Sequence, residues 1–236
     1  MPKSKRILLK LSGEALAGES AFGIDAGRAR EIASEIAAAR GLGVEIGIVL
    51  GGGNFFRGID SGKSGLQRVT ADYMGMIATV MNALAFRDIL AAQSVGAEVF
   101  SAIPMEPAAQ RFDRAKALAA IEAGRVAIFA GGTGNPFFTT DTAAALRAIE
   151  IGAGLLAKAT KVDGIYDKDP VKFADARRYE KISYGDFLMD GLGVMDATAV
   201  SLCRANKLAV VVFNLNVRGN ILKLVKGDEP LGTIIS

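Results

Sequence analysis

The chain has 236 residues, half of them hydrophobic and 22% charged, enough apolar material for one large or two small globular domains and too much for a disordered chain. It has no histidine and a single cysteine, Cys203, which excludes an intramolecular disulfide, a thiolate zinc site, a Ser-His-Asp triad and a histidine general base. The net charge of +3 comes from 28 basic and 25 acidic residues whose signs interleave, so no polyanion-binding face forms and nucleic acid is not an expected partner.

In chain order, the basic N-terminus offers only Ile7-Leu9 before Lys10 interrupts, too little for a signal-peptide core. Apolar runs stay near six residues, far short of the roughly 20 that span a bilayer, so a cytoplasmic protein without a membrane segment is expected. Arg6–Leu11, Val44–Leu50, Ala97–Ile103, Arg125–Ala130 and Leu208–Asn214 are continuous, Val- and Ile-rich stretches that predict strands buried on both faces, with Gly154–Ala159 a weaker sixth. Between them Arg28–Arg40, Leu66–Gln93, Asp113–Ala123, Thr139–Gly152 and Asp196–Asn206 predict amphipathic helices. This alternation predicts an α/β fold, a three-layer α/β/α sandwich around a central, mostly parallel sheet. One domain over 1–236 is expected, any second lobe starting near Gly152. The stretch Thr70–Ile89 carries more apolar residues than one buried stripe requires, which suits a subunit interface as well as a core.

Ligands of such sheets sit beyond the carboxyl ends of the strands, and three of those ends carry glycine: Ser12-Gly13, Gly51-Gly52-Gly53-Asn54, and Gly131-Gly132-Thr133-Gly134-Asn135. One cluster can be a tight turn; three at one rim favour backbone N–H groups closing around phosphate. Neither standard nucleotide fingerprint is present. No Gly-x-Gly-x-x-Gly occurs, and Gly58–Ser64 is one residue short of a P-loop, with Arg57 in place of its first glycine, so it reads as a loop. Lys10 breaks an apolar strand just before Ser12-Gly13; it faces either solvent or a phosphate. Arg57 offers a second cation or an ordinary surface arginine. Thr139 or Thr140 can cap a helix whose first turn holds Asp141, a carboxylate placed to orient a lysine or a metal. Phe137 and Phe138 fit a core or a base-stacking wall. Asp72 reads as a first-turn acid or a ribose ligand, and Asp196 as an N-cap.

Lys10-Leu11-Ser12-Gly13-Glu14, Gly51 to Asn54, Ala71-Asp72-Tyr73-Met74-Gly75, Gly132 to Asp141, Lys158 to Gly164 and Val194-Met195-Asp196 resemble, in order and over nearly the whole chain, the bacterial UMP kinases of the amino-acid kinase family. The resemblance implies transfer of the ATP γ-phosphoryl group to UMP, with Mg²⁺ accompanying ATP. It implies an ATP side of Lys10, Leu11, Ser12, Gly13, Gly53, Arg57, Thr160, Tyr166 and Asp169. The implied UMP side is Gly52, Asp72, Thr133, Gly134, Asn135, Pro136, Phe137, Phe138, Thr139 and Thr140. Acceptor residues then fall mainly in 1–151 and much of the ATP side in 152–236. Lys10, Arg57 and Asp141 are the implied catalytic residues; no residue is assigned to a protein-held metal, and either Lys158 or Lys161 can face the nucleotide. The family also implies a homohexamer, activation by GTP and inhibition by UTP, with Arg87 and Arg125 as effector candidates or plain surface arginines. A carboxylate kinase for aspartate, glutamate or carbamate, and a nucleotide sensor without turnover, are the competing readings.

Overall fold

The computed structural model describes residues 4–20, 22–56 and 65–236. Its frame is a nine-stranded sheet in the order β4-β3-β5-β2-β1-β6-β10-β11-β9. The six long strands fall on the apolar runs, trimmed or shifted by one or two residues: β1 (Arg6–Leu11), β2 (Glu45–Leu50), β3 (Ala97–Ser101), β5 (Val126–Ala130), β6 (Leu155–Thr160) and β10 (Val210–Asn214). Every neighbouring pair runs parallel except β10 with β11 (Thr233–Ile235). The predicted α/β/α sandwich is thus the observed one. Short pieces that the sequence did not announce complete it: β4 (Gln110–Arg111) and β9 (Lys181–Ile182) at the two edges, and a separate hairpin of β7 (Ile165–Tyr166) with β8 (Arg178–Tyr179).

Five predicted helices form: α2 (Ala26–Gly41), α3 (Arg68–Ala91), α4 (Arg114–Glu122), α5 (Thr140–Glu150) and α7 (Ala197–Ala205). Three short ones were not predicted: α1 (Gly13–Ala17), α6 (Tyr184–Met189) and α8 (Asn220–Lys226). Most of the helix starts have local chemical causes, although α3 and α8 begin without a side-chain cap. The side chains of Ser12, Asp25, Asp113, Thr139 and Asp196 each accept a hydrogen bond from a backbone N–H of the first turn, satisfying a donor the helix itself leaves orphaned.

Because side chains alternate across a strand, β1 feeds both layers. Ile7, Leu9 and Leu11 join Ile32, Ile36, Phe86 and Phe213 under α2, α3 and α8, whereas Leu8 joins Phe129, Leu156, Ala148 and Val200 under α4, α5 and α7. Helix α3 is long and apolar enough by length and composition to cross a bilayer. Short apolar runs did not reveal this, since polar residues punctuate it. It lies instead against the sheet, with Ala71, Met76, Val80, Ala83, Phe86 and Leu90 buried.

Candidate active site

The parity that sends Leu8 and Leu156 to the α5 side sends Lys10 and Lys158 there too, and parallel pairing makes the two lysines direct cross-strand partners. Two ammonium groups so placed repel. The first turn of α5 supplies the counter-charge: Lys10 Nζ lies 2.8 Å from Asp141 Oδ1, an ion pair without hydrogen-bond alignment, and Lys158 Nζ donates to Asp141 Oδ2 and to the carbonyl of Val194. Lys10 and Lys158 are each 8% exposed and Asp141 9%. The solvated-face alternative for Lys10 is therefore wrong, since Asp141 offsets its burial.

Burial pushes the Asp141 carboxyl upward, but the two ammonium groups beside it outweigh burial and hold it below the ordinary carboxylate value. Burial, with Lys10 alongside, draws the Lys158 ammonium below its usual value against the pull of Asp141 and Asp196. With two cations to one anion, the trio keeps an excess positive charge suited to a phosphate.

The glycine turns meet at this rim. A Cβ on Gly13 would stand 2.3 Å from Asn54 Oδ1 and 2.8 Å from Gly53 N, so the turn after β1 presses directly on the turn after β2. A Cβ on Gly52 would stand 2.7 Å from Gly75 O and 2.9 Å from Ala78 Cβ, where the second turn abuts α3. Only glycine permits either approach.

Cavities open on both sides of these turns. One of about 640 Å³ is lined by Ser12, Glu14, Arg28, Thr160, Lys161 and Asn216 among others. One of about 150 Å³ is lined by Gly52, Gly53, Asp72, Gly132, Thr133, Asn135, Phe138, Thr139 and Thr140 among others. Most of the acceptor residues expected from sequence thus share one concavity; Gly134, Pro136 and Phe137 belong to the same loop without lining it. Asp72 accepts from Phe137 N at 2.8 Å and pairs with Arg68 Nε at 2.9 Å, so it ties that loop to α3 and is more than a first-turn acid. Phe137 and Phe138 are 65% and 48% exposed, which removes the core alternative for both.

On the other side, Ser12 and Thr160 line the larger cavity, while Leu11 is fully buried and offers only its backbone. Tyr166 and Asp169 line neither cavity: the Tyr166 hydroxyl donates to Asp163 and Asp169 Oδ1 accepts from Val171 N. Arg57, with the rest of 57–64, lies outside the described residues. Lys161 is exposed and pairs with Glu14, so Lys158 is the lysine that joins the cluster. Asp196 is the expected N-cap and also accepts from the hydroxyls of Thr139 and Thr142. Arg87 pairs with Asp88 and Arg125 with Glu98. Sequence reasoning missed the buried amides of Asn54 and Asn82, because their contact joins a turn to a helix 28 residues on.

Among the described residues no group of three or more carboxylate, thiol or imidazole side chains is placed to hold a metal. The buried carboxylate of the cluster, Asp141, is already committed to two ammonium groups. These residues do not build a protein-held Mg²⁺ site.

A parallel sheet with glycine turns and cationic side chains at one rim defines a nucleotide-dependent phosphotransferase. The chain belongs to the amino acid kinase family, whose profile matches residues 5–214. Within that family it is 54% identical to a uridylate kinase of Chromohalobacter salexigens over 99% of this chain and 92% of the relative. It also superposes on the UMP kinase of Bacillus anthracis with a TM-score of 0.96 at 36% identity, covering 100% of this chain and 97% of that one. The UMP kinase of Ureaplasma parvum gives 0.93 at 36% identity, with both chains covered completely.

Proposed function

We propose that this protein is a UMP kinase, transferring the γ-phosphoryl group of ATP to UMP to give UDP and ADP in pyrimidine nucleotide synthesis. The observation that carries the reading is the Lys10–Asp141–Lys158 cluster at the ends of two adjacent strands, next to contacting glycine turns that each open on a cavity. The uridylate and UMP kinase relatives supply the identity of the acceptor.

An oxygen of the UMP phosphate attacks the γ-phosphorus of ATP. The new O–P bond forms as the bond from that phosphorus to the β,γ-bridging oxygen breaks, and ADP leaves with the bond's electron pair. The attacking oxygen is already ionised near neutral pH, so no side chain has to take its proton. That suits a chain without histidine. The protein's work is alignment and charge neutralisation. Lys10 and Arg57 neutralise the transferring group, and Asp141 orients Lys10 and Lys158. Gly13 and Gly53, at the junction of the two turns, flank the donor phosphates although Gly53 lines the smaller cavity, with Leu11, Ser12 and Thr160 beside them; Tyr166 and Asp169, which line neither cavity, are assigned to the ATP side by the family resemblance alone. Gly52, Asp72 and residues 133–140 hold UMP, Asp72 accepting from ribose hydroxyls. The acceptor side then lies mainly in 1–151 and the donor side largely in 152–236. Mg²⁺ enters as the counter-ion of ATP, as part of that substrate.

The finer reading extends to assembly and regulation. Tyr73, Ile77 and Met81, one helical turn apart on α3, are each more than 40% exposed and form an apolar stripe that supports self-association, read as a homohexamer. GTP activation and UTP inhibition go with it. The lone cysteine, buried and free, is in keeping with the reducing cytoplasm. An ADP-release assay with UMP, CMP, AMP, dTMP, aspartate, glutamate and carbamate as acceptors tests the reaction. A clear preference for UMP supports it, and ADP release that ignores the acceptor overturns it.

A further inference from the structure

Helix α3 touches two of the glycine loops through a row of polar side chains, Asp72, Thr79 and Asn82, of which only Asp72 has a role in the reaction described above. Thr79 is buried, and its Oγ1 accepts from Gly131 N at 2.7 Å while donating to Met76 O. Three residues on, Asn82 is fully buried. Its Nδ2 donates to Gly51 O at 2.7 Å and to Asn54 Oδ1 at 2.7 Å, and Asn54 Nδ2 returns a bond to Asn82 Oδ1 at 2.9 Å. The Asn54 amide in turn donates to Gly23 O and stands where a Cβ on Gly13 would be. Residues 72, 79 and 82 are spaced by seven and three, which puts them on one face of the helix. Together they bond to Phe137 N, Gly131 N and Gly51 O, one contact for each end of the 131–137 loop and one for the turn after β2.

We infer that Thr79 and Asn82 are positioning residues, which fix the 51–53 turn and the 131–137 loop to one rigid helix and so set the distance between the two phosphates. The physical reason is the low tolerance of phosphoryl transfer to misplacement: a shift of about 1 Å between reacting groups can lower the rate about 100-fold. Glycine turns have little intrinsic stiffness, so their geometry must come from what they are bonded to. Here that partner is a 24-residue helix packed on the sheet, and the bonds to it are buried.

The inference rests on the UMP kinase reading, and the test separates the two. The wild type is first assayed for UDP formation, whose absence would overturn that reading and the inference with it, whereas UDP formation leaves the variants to decide the inference by itself. Thr79→Val, close in shape but unable to accept from Gly131 N, and Asn82→Asp, unable to donate to Gly51 O when ionised, are then compared with Thr79→Ser. All are assayed well below their melting midpoints. Expected are a fall in kcat of at least about 10-fold for Thr79→Val and Asn82→Asp, KM values for ATP and UMP within a few-fold of wild type, and recovery of most of the rate in Thr79→Ser. A merely structural role would lower the midpoint and leave kcat alone. Wild-type kcat in a folded Thr79→Val or Asn82→Asp, or a Thr79→Ser as slow as Thr79→Val, overturns the inference. Should Thr79→Val not fold, Asn82→Asp and Thr79→Ser decide it.

Discussion

Replacing Asp141 by Asn removes the one negative charge between two lysines while keeping the side chain's shape. At the 2.8 Å separation of Lys10 Nζ and Asp141 Oδ1 and an effective dielectric of about 20, one such contact represents about 6 kcal/mol of Coulomb attraction before desolvation is counted. Desolvation offsets much of this, and breaking a buried pair by removing one partner typically costs about 3–5 kcal/mol. The cross-strand register aggravates the loss, since Lys10 and Lys158 would then face each other with no negative charge between them. For a chain of this size that loss corresponds to a fall in Tm of about 6–20 °C. Turnover should fall at least about 100-fold, the effect of losing one preorganised charge contact at a transition state. Circular dichroism melting gives the first quantity and a coupled ADP-release assay below the midpoint gives the second. An Asp141→Asn protein with the midpoint and kcat of the wild type would refute both the electrostatic argument and the assignment of the site.

The same carboxyl sets a pH dependence. Its folded value lies below the unfolded one, so its stabilisation is fully present above the unfolded pKa of about 4 and disappears as pH falls through the folded value. The Tm gap between wild type and Asp141→Asn should therefore hold from neutrality to about pH 5 and shrink below about pH 4. Gly52→Ala forces a methyl against Gly75 O and Ala78 Cβ; it should destabilise by about 1–3 kcal/mol and raise the KM for UMP, measured by melting and steady-state kinetics. Asp72→Ala releases Phe137 N and the expected ribose contact; the KM for UMP should rise about 10-fold or more with that for ATP unchanged. Burial, with Asp196 nearby, has pushed the Cys203 thiol up to about 12; an aromatic disulfide reagent should leave it untouched in the native protein and titrate one thiol in denaturant.

The sheet was legible because its central strands are buried on both faces and read as unbroken apolar runs, and the main helices because they are long enough to show a period. Strands of two or three residues such as β4, β7 and β11 have no room for a pattern. The glycine turns and Lys10 announced themselves as interruptions. Lys158 interrupts β6 in the same way, but choosing it over Lys161 needed the register of β1 with β6, which no local stretch encodes. For the same reason Thr79 and Asn82 look like ordinary polar residues in an apolar helix; their partners lie 52 and 31 residues away.

The position of β1 bears on how the protein is made. Its neighbours are β2, which leaves the ribosome soon after it, and β6, which starts at Leu155. Until two-thirds of the polypeptide has been synthesised, one margin of the first strand therefore lacks its native mate, while five consecutive residues seek burial. The nascent protein carries an open, sticky seam for most of its synthesis, and the seam closes in the same event that brings the second lysine to the first.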